Sequence, residues 1–275
     1  MSEPRDLANI LASLKAILLE AGEVVRAAYE RGTAVERKKD GSPVTEADRE
    51  ANRVLEAGLR QLLPSAGWLS EESRQDTRRL ETEWLWVVDP LDGTKEFARR
   101  IPEFALSVGL VHGERVAAGI VVNPITGEGG LGAVGGPSES WGFPPAKTAA
   151  TSLDAAVASV SRSETEDGSA QPFFSLVGTT RPVGSVAYKL LRVAAGLEDL
   201  TFSVQPKSEW DICAGVGLLE AAGKVYWRLD GKPVRFNQRD TRLRSGAVAG
   251  PSELVRLFRA LYWRAAVSRP EVSSP

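Results

Sequence analysis

The stretch WVVDPLDGTKEF, residues 86–97, decides how the rest of the sequence is interpreted. The apolar run at 84–88 has the length and composition of a buried strand, and two aspartates, Asp89 and Asp92, follow it directly. Two carboxylates that converge need a positive partner, because unit charges about 4 Å apart repel by about 4 kcal/mol at an effective dielectric near 20. Main-chain N–H groups beyond Gly93 can face an anion. The stretch therefore predicts a cation site beside an anion site at the end of a strand.

The composition restricts the classes of partner. The chain has 275 residues, 43% of them hydrophobic, which is enough for one large domain or two smaller ones. With 34 basic and 36 acidic residues it has no general basic field for a nucleic acid polymer or an acidic membrane, so anion binding must be local.

Residue types also limit the kind of metal site. The single Cys213 and the lone His112 exclude a disulfide framework and Cys-rich or His-rich metal sites, so a bound metal would have oxygen ligands. No run reaches the roughly 20 apolar residues of a membrane helix, and no signal-type segment opens the chain. We expect a cytoplasmic protein without membrane association.

The order of elements predicts layers of helices and sheets. Apolar spacing predicts helices at 5–31, from Thr45 to Pro64, from Ser185 to Ala195, from Trp210 to Ala222 and at 251–263. Strands are predicted at 84–88, 155–160, 174–177 and 246–249, with hairpins formed by 104–111 and 116–123 and within 224–236 around the turn at Asp230 and Gly231. This mixture favours a layered α/β or α+β architecture.

A segment rich in Gly, Pro and Ser, at 135–152, predicts a junction near residue 147. It divides an N-terminal α+β half, 1–147, which carries most of the acids, from a C-terminal α/β half, 148–267. The last residues, 268–275, are predicted to be disordered.

Four further acids lie at the boundaries of predicted elements: Asp48, Glu71, Glu72 and Asp211. Each has a structural alternative, since Asp48 with Thr45 fits a capping box, Asp211 suits a helix start, and the glutamates could be solvated. If they converge, an acid-rich site poor in Cys and His favours Mg²⁺ or Mn²⁺ over Zn²⁺.

Together these motifs resemble a known superfamily. SPVTEAD at 42–48, the Glu pair at 71–72, DPLDGT at 89–94 and EWDICAG at 209–215 occur in the order and separations of the inositol monophosphatase superfamily of Mg²⁺-dependent, lithium-sensitive phosphatases. The resemblance implies a five-layer αβαβα sandwich of the inositol monophosphatase and fructose-1,6-bisphosphatase type.

The resemblance also implies a site and a mechanism. Two or three Mg²⁺ ions, or Mn²⁺ in their place, would be held by Glu71, Asp89, Asp92, Asp211 and the carbonyl of Leu91. Glu71, with Thr94 and Asp48 nearby, would activate a water for in-line attack on phosphorus, and no phosphoenzyme is expected.

Details of the motifs are more similar to the 3'(2'),5'-bisphosphate nucleotidases than to the inositol phosphatases. DGTKEF at 92–97, SRS at 161–163 and GSVAYK at 184–189 carry this likeness. The implied substrate-binding residues are Gly93, Thr94, Lys95, Arg162, Gly184, Ser185 and Lys189, with Lys207 as a weaker candidate. Glu164, where the nucleotidases usually have His, and GIVVNPITGE at 119–128, which resembles the inositol phosphatases, depart from the pattern.

The expected activity is removal of the 3'-phosphate of adenosine 3',5'-bisphosphate, with 3'-phosphoadenosine 5'-phosphosulfate as a further candidate substrate and sulfur metabolism as the context. The alternatives are hydrolysis of inositol, sugar or histidinol monophosphates, and an inactive sensor of phosphate ligands. Family members occur as monomers and homodimers, and the sequence favours neither.

Overall fold

The computed structural model describes residues 7–38, 41 and 43–267. Seven helices lie within these residues: α1 (Leu7–Arg31), α2 (Glu46–Leu62), α3 (Thr94–Ala98), α4 (Arg162–Glu166), α5 (Val186–Ala194), α6 (Glu209–Ala221) and α7 (Ser252–Val267). The strands of the same residues are β1 (Val35–Arg37), β2 (Pro43–Thr45), β3 (Gly67–Ser70), β4 (Trp84–Asp92), β5 (Ala105–His112), β6 (Arg115–Val122), β7 (Gly129–Ala133), β8 (Ser138–Trp141), β9 (Val157–Ser161), β10 (Thr179–Val183), β11 (Leu200–Ser203), β12 (Lys207–Ser208), β13 (Val225–Arg228), β14 (Arg242–Leu243) and β15 (Ala247–Gly250). Short 3-10 helices lie at Thr77–Glu81 and Gln171–Leu176.

Two sheets form the framework. The six-stranded sheet has the order β3-β4-β5-β6-β7-β8, in which β3 and β4 run parallel and the other neighbours antiparallel. The five-stranded sheet has the order β10-β9-β11-β15-β13, with β9 parallel to both neighbours and β15 antiparallel to both of its own. The pairs β1 with β2 and β12 with β14 form small ribbons.

Helices and sheets alternate in five layers. Helices α1 and α2 pack together on one face of the six-stranded sheet, and α5 and α6 lie on its other face, against the five-stranded sheet. Helix α7 packs on the second sheet. The predicted αβαβα sandwich is therefore confirmed.

Strand β4 is covered on both faces, which explains its uninterrupted apolar sequence. Trp86 and Val88 face the cluster formed with α1 and α2, whereas Leu85 and Val87 belong to the cluster that includes α6. The end of this strand therefore lies between two packed layers, and Asp89 is 1% exposed.

Helix α6 lies unusually close to the six-stranded sheet. A Cβ added at Gly119 of β6 would lie 2.1 Å from the Ala214 carbonyl oxygen, and one at Gly109 of β5 would lie 2.4 Å from Cys213 Sγ. Only glycine allows this approach, so these two positions set the distance between α6 and the sheet.

Most predicted elements are present, and two are wrong. Residues 174–177, predicted as a strand, contain the end of the 3-10 helix Gln171–Leu176 and its C-cap Val177, and the strand follows at β10. The predicted hairpin at 224–236 is absent, because β13 pairs with β15 and the chain after the turn at Gly231 forms no strand up to residue 241. The sequence patterns also did not predict the short helices α3 and α4 or the strands β1, β2, β3, β7, β8, β11, β12 and β14.

The predicted junction at 135–152 contains β8, the last strand of the six-stranded sheet, and the five-stranded sheet begins at β9. Helices α5 and α6 nevertheless pack on the first sheet from the second half of the chain. A domain boundary near residue 147 stays a prediction, and the predicted disordered tail, 268–275, lies outside the described residues.

Candidate active site

Three carboxylates from distant parts of the chain converge. Glu71 follows β3, Asp89 lies in β4, and Asp211 lies in the first turn of α6. Each offers a carboxylate oxygen, and these oxygens all lie within 4.8 Å of one another. The predicted meeting of acids that are far apart in sequence is present in the structure.

Backbone pairing explains how two of these acids meet. Strands β3 and β4 run parallel with Ser70 opposite Val88, and the Glu71 N–H donates to the Val88 carbonyl at 3.2 Å. The next residues along the two chains, Glu71 just after β3 and Asp89 within β4, therefore lie side by side at the carboxyl end of β3.

Asp211 reaches the cluster through a helix cap. Ser208 and Asp211 form a capping box, in which the Ser208 N–H donates to Asp211 Oδ2 at 2.7 Å. This bond satisfies an N–H at the start of α6 and also fixes the carboxylate. Asp211 is therefore both a capping-box residue of α6 and a member of the acid cluster.

Burial makes the charge of this cluster unfavourable without a cation. Burial raises the pKa of Asp89 well above the usual range, and the charges of neighbouring acids, Glu71 first among them, raise this pKa further. Burial also raises the pKa of Asp211 to about 7, with the Asp92 charge adding to the effect. The shifts mean that the folded chain disfavours several negative charges here, and a multivalent cation would remove that penalty.

The donor atoms fit a hard divalent cation. Glu71, Asp89 and Asp211 supply carboxylate oxygens, and the Leu91 carbonyl oxygen, which accepts from Thr94 Oγ1 at 3.2 Å, lines the same cleft. Mg²⁺ prefers an all-oxygen donor set of this kind. The chemistry of the residues therefore agrees with the predicted metal.

Asp92 is fixed from the opposite side by the start of α5. Its Oδ2 accepts from Ser185 Oγ at 2.6 Å and from the Ala187 N–H at 2.6 Å. Burial raises the pKa of Asp92, and the Ser185 bond opposes that rise. The structure thus holds Asp92 beside the cluster in one orientation.

Thr94 and Asp48 lie together, as predicted. Thr94 Oγ1 is 3.0 Å from Asp48 Oδ1, and Asp48 Oδ2 accepts from the Thr45 N–H at 2.7 Å and from its hydroxyl at 2.6 Å. Asp48 therefore both completes the capping box of α2, whose N-cap is Thr45, and is the partner of Thr94. Burial raises its pKa despite these hydrogen bonds.

The turn after Asp92 depends on Gly93. Its φ of 99° lies in the left-handed region, and a Cβ there would lie 3.0 Å from that of Phe104. Any other residue would strain the backbone at the point where α3 begins.

The acids open into a cleft of about 220 Å³. Its lining includes the metal-ligand candidates Glu71, Asp89, Leu91, Asp92 and Asp211 and the substrate-binding candidates Gly93, Thr94, Lys95, Gly184, Ser185 and Lys189. Ser161 and Ser163, on either side of Arg162, also line it. One cleft is thus lined by both acids and lysines.

The three predicted cations beyond Lys95 are differently placed. Lys189 is 3% exposed and donates to the Ser185 carbonyl at 2.7 Å; burial lowers its pKa to about 8, and the Asp92 charge opposes this. Arg162 forms an ion pair with Glu103 at 2.6 Å, and Lys207 forms one with Glu164 at 3.1 Å.

Sequence reasoning missed Lys38, Glu96 and Glu103. Lys38 Nζ contacts Glu71 Oε1 at 2.7 Å and also pairs with Glu72. Glu96 is buried and lines the cleft, and Glu103 accepts from the Gly184 N–H at 2.8 Å besides its pair with Arg162. Glu96 lies inside DGTKEF, and Glu103 lies inside PEFALSVGL at 102–110, a stretch that is also similar to the nucleotidases, so both could have been found in the sequence, whereas Lys38 lies in no comparable motif.

Within the described residues, the helices are all too short or too polar to cross a membrane.

Comparisons with known proteins agree with this geometry. A sequence model of the inositol monophosphatase family matches residues 6–265. The 3'(2'),5'-bisphosphate nucleotidase CysQ of Salmonella typhimurium is 32% identical over 236 residues, which cover 82% of this chain and 93% of that protein. An inositol monophosphatase of Mesembryanthemum crystallinum is 30% identical over 236 residues, covering 82% and 87%.

A solved structure shows the same fold. The inositol monophosphatase from Anabaena (Nostoc) superposes with a TM-score of 0.75 at 27% identity, covering 98% of this chain and 99% of that one.

Proposed function

The chain belongs to the inositol monophosphatase family and is a phosphatase, and we propose that it uses Mg²⁺ to remove the 3'-phosphate of adenosine 3',5'-bisphosphate. Enzymes of this family generally use Mg²⁺ and act on small phosphate esters. The identity of the substrate as this nucleotide is the more specific part of the proposal.

The observation that carries the proposal is that one cleft is lined by both converging acids and lysines. The carboxylate oxygens of Glu71, Asp89 and Asp211 lie within 4.8 Å of one another, and Lys95 and Lys189 line the same cleft. A substrate with two phosphates needs a metal-bearing site for the phosphate that leaves and a separate cationic site for the one that stays. The similarity to a bisphosphate nucleotidase supports the same choice.

The residues of the chain have separate tasks in this proposal. Glu71, Asp89, Asp92, Asp211 and the Leu91 carbonyl would hold Mg²⁺. When bound, Mg²⁺ stabilises negative charge that develops on phosphoryl oxygens and makes a water molecule more acidic.

Proton transfer and orientation fall to neighbouring side chains. The Glu71 carboxylate would accept the proton of the attacking water, and the Thr94 hydroxyl, fixed by Asp48 at 3.0 Å, would orient that water. The N–H groups of Gly93 and Thr94 would contact the phosphoryl oxygens at the start of α3, so that the phosphorus is presented in line.

Inositol monophosphate hydrolysis is the second candidate, and one contact favours it. Arg162, which would bind the second phosphate, is already paired with Glu103 at 2.6 Å. A second phosphate would have to compete with this carboxylate, whereas a monophosphate would leave the pair intact. The similarity to a plant inositol monophosphatase points the same way.

A phosphate-release assay with Mg²⁺ separates these candidates. We expect adenosine 3',5'-bisphosphate to give a higher kcat/KM than 3'-AMP, myo-inositol 1-phosphate or histidinol phosphate. A higher kcat/KM for myo-inositol 1-phosphate would reject the nucleotide proposal.

A variant pair tests whether the site is catalytic at all. Asp92→Asn should abolish Mg²⁺-dependent turnover, whereas Asp240→Asn, at an exposed acid paired with Arg244, should retain it. Binding of ligand by the unmodified protein without any turnover would instead favour a sensor.

A further inference from the structure

A second cavity lies beside β3 and the 3-10 helix Thr77–Glu81, and we propose that it binds a phosphate group, either free or carried by a small molecule. The cavity has a volume of about 560 Å³, within the range of small-molecule sites. Its lining shares no residue with that of the active cleft. The residues that define it here are Arg60, Trp68, Ser73, Arg74, Arg78 and Arg79.

The cavity has an excess of positive charge. Four arginines line it, with only two acids, Glu56 and Asp76. Glu56 pairs with Arg60 at 2.7 Å, and the side chain of Asp76 accepts from Arg78 Nε at 2.7 Å. Two guanidinium groups therefore remain without a carboxylate partner among the described residues, those of Arg74 and Arg79.

Arg79 is the stronger indication, because it is buried. It is 3% exposed, and its two terminal nitrogens donate to neutral acceptors, the Asn237 side-chain oxygen and the Gln238 carbonyl oxygen, each at 2.6 Å. Its Nε has no hydrogen-bond partner within the described part of the chain. The nearby Glu209 charge acts on Arg79 without forming an ion pair, because the Glu209 oxygens accept from the Asn237 and Gln238 N–H groups. A buried cation without a directly paired anion is unfavourable, so a negative ligand in the adjoining cavity would stabilise it further.

The groups at the cavity suit a phosphate more than a carboxylate. Guanidinium groups bind phosphate oxygens through paired N–H donors, and Arg74 and Arg78 are exposed and able to turn toward a ligand. Arg60 already lies over the Trp68 ring, 5.7 Å from its centre, which holds a third guanidinium in place. A dianionic phosphate could therefore be contacted by several arginines at once.

The cavity also adjoins the turn that carries Glu71. Ser73 lines the cavity, and its hydroxyl oxygen accepts from Trp68 Nε1 at 3.0 Å and from Asn52 Nδ2 at 3.2 Å. The Asn52 oxygen in turn accepts from Ser70 Oγ at 2.6 Å, directly before Glu71. The cavity and the active cleft are thus both lined by residues of one short turn, and hydrogen bonds of Asn52, Ser70 and Ser73 hold this turn in place.

Isothermal titration calorimetry with inorganic phosphate tests the proposal. The full chain is used in EDTA, so that no metal ion in the active cleft binds phosphate, and the arginine variants identify the binding that belongs to the cavity. We expect one phosphate per chain, with affinity at least about 10-fold weaker in Arg74→Ala/Arg78→Ala, since two charge-assisted contacts are lost.

The matched control is Arg239→Ala/Arg242→Ala, which removes two exposed arginines outside the cavity lining and should bind phosphate like the unmodified protein. Equal affinity in all three proteins, or no phosphate binding in EDTA, would overturn the proposal. Melting temperatures show whether the variants fold. If the double variant fails to fold, Arg74→Ala alone, which removes no described contact, should weaken binding about 3-fold or more, and unchanged affinity would again overturn the site.

A parallel titration with glycerol 3-phosphate identifies the source of the phosphate group. Tighter binding than inorganic phosphate supports an ester ligand, and weaker binding supports the free ion. None of these titrations depends on turnover, so their outcome is independent of the proposed nucleotidase activity.

Discussion

Replacement of Ser185 tests how the fold holds Asp92. Its hydroxyl donates to Asp92 Oδ2 at 2.6 Å and accepts from the Tyr188 N–H at 3.0 Å, and the residue is 7% exposed. A hydrogen bond to a charged group contributes about 1.5–3 kcal/mol, and a helix N-cap contributes about 1 kcal/mol. We therefore expect Ser185→Ala to lower the free energy of unfolding by about 3 kcal/mol.

A second substitution at this position separates side-chain bonds from backbone strain. Ser185 has a φ of 54°, which a residue with a Cβ adopts at a strain of about 1 kcal/mol and glycine adopts freely. Glycine is also a better N-cap than alanine. Ser185→Gly should therefore be less destabilised than Ser185→Ala, by about 1–2 kcal/mol.

Thermal unfolding with saturating Mg²⁺ measures both effects. For a chain of this size about 3 kcal/mol corresponds to a fall in Tm of about 6–12 °C. Ser140→Ala, at an exposed serine of β8, is the control and should change Tm by less than about 2 °C. The reasoning is refuted if Ser185→Ala matches this control, or if Ser185→Gly melts below Ser185→Ala.

Three further predictions concern packing, charge and specificity. Gly119→Ala should lower the free energy of unfolding, measured by urea titration, by about 3 kcal/mol, because its Cβ would overlap the Ala214 carbonyl oxygen. The control is Gly22→Ala in α1, whose Cβ would lie 3.4 Å from its nearest neighbour, Pro124, and which should not destabilise the protein. In EDTA, the raised pKa of Asp89 means that the folded state holds a proton that the unfolded state has lost, so the melting temperature should fall as pH rises above about 4. Asp89→Asn should melt at a higher temperature than the unmodified protein at pH 8, and its melting temperature should fall less steeply with pH. A melting temperature that rises with pH in EDTA would contradict this. Arg162→Ala should raise KM for adenosine 3',5'-bisphosphate about 10-fold and leave KM for a monophosphate nearly unchanged in steady-state assays; equal changes would remove Arg162 from the second phosphate site.

The helices of the first half could be predicted because their signals are local. Helix α1 repeats apolar residues over seven turns, and Thr45 with Asp48 announces the start of α2. Neither signal depends on what the helix packs against.

The strands that were missed or wrong depend on distant partners. The glycines of β7 (GGLGA) are typical of a loop, but a Cβ at Gly130 would lie 2.6 Å from Leu191 Cδ1, so glycine is what lets α5 pack there. Strand β13 pairs with β15 instead of the segment that follows its own turn, and no local pattern specifies that choice. Strand β10 contains Pro182, which is tolerated because β10 lies at the edge of its sheet.

The candidate site also contains residues that local sequence predicts and residues whose partners are distant in sequence. Asp89, Asp92 and Gly93 were predictable because strand, turn and acids are adjacent in sequence. The ion pairs of Lys38 with Glu71 and of Arg162 with Glu103 join residues 33 and 59 positions apart, and the sequence has equally plausible acids elsewhere. Charge alone does not select a partner, since only the folded backbone brings one carboxylate into reach.

The acids of the site lie on tightly packed elements. Asp89 lies in a strand buried on both faces, and Asp211 lies in the first turn of a helix that Gly119 and Gly109 bring into direct contact with the sheet. Because these elements pack tightly, the carboxylates cannot separate to relieve their repulsion, and burial instead raises the pKa of both. A divalent cation offsets more of this repulsion than a monovalent cation of the same size. Because the packing keeps the carboxylates close together, this position favours a divalent ion.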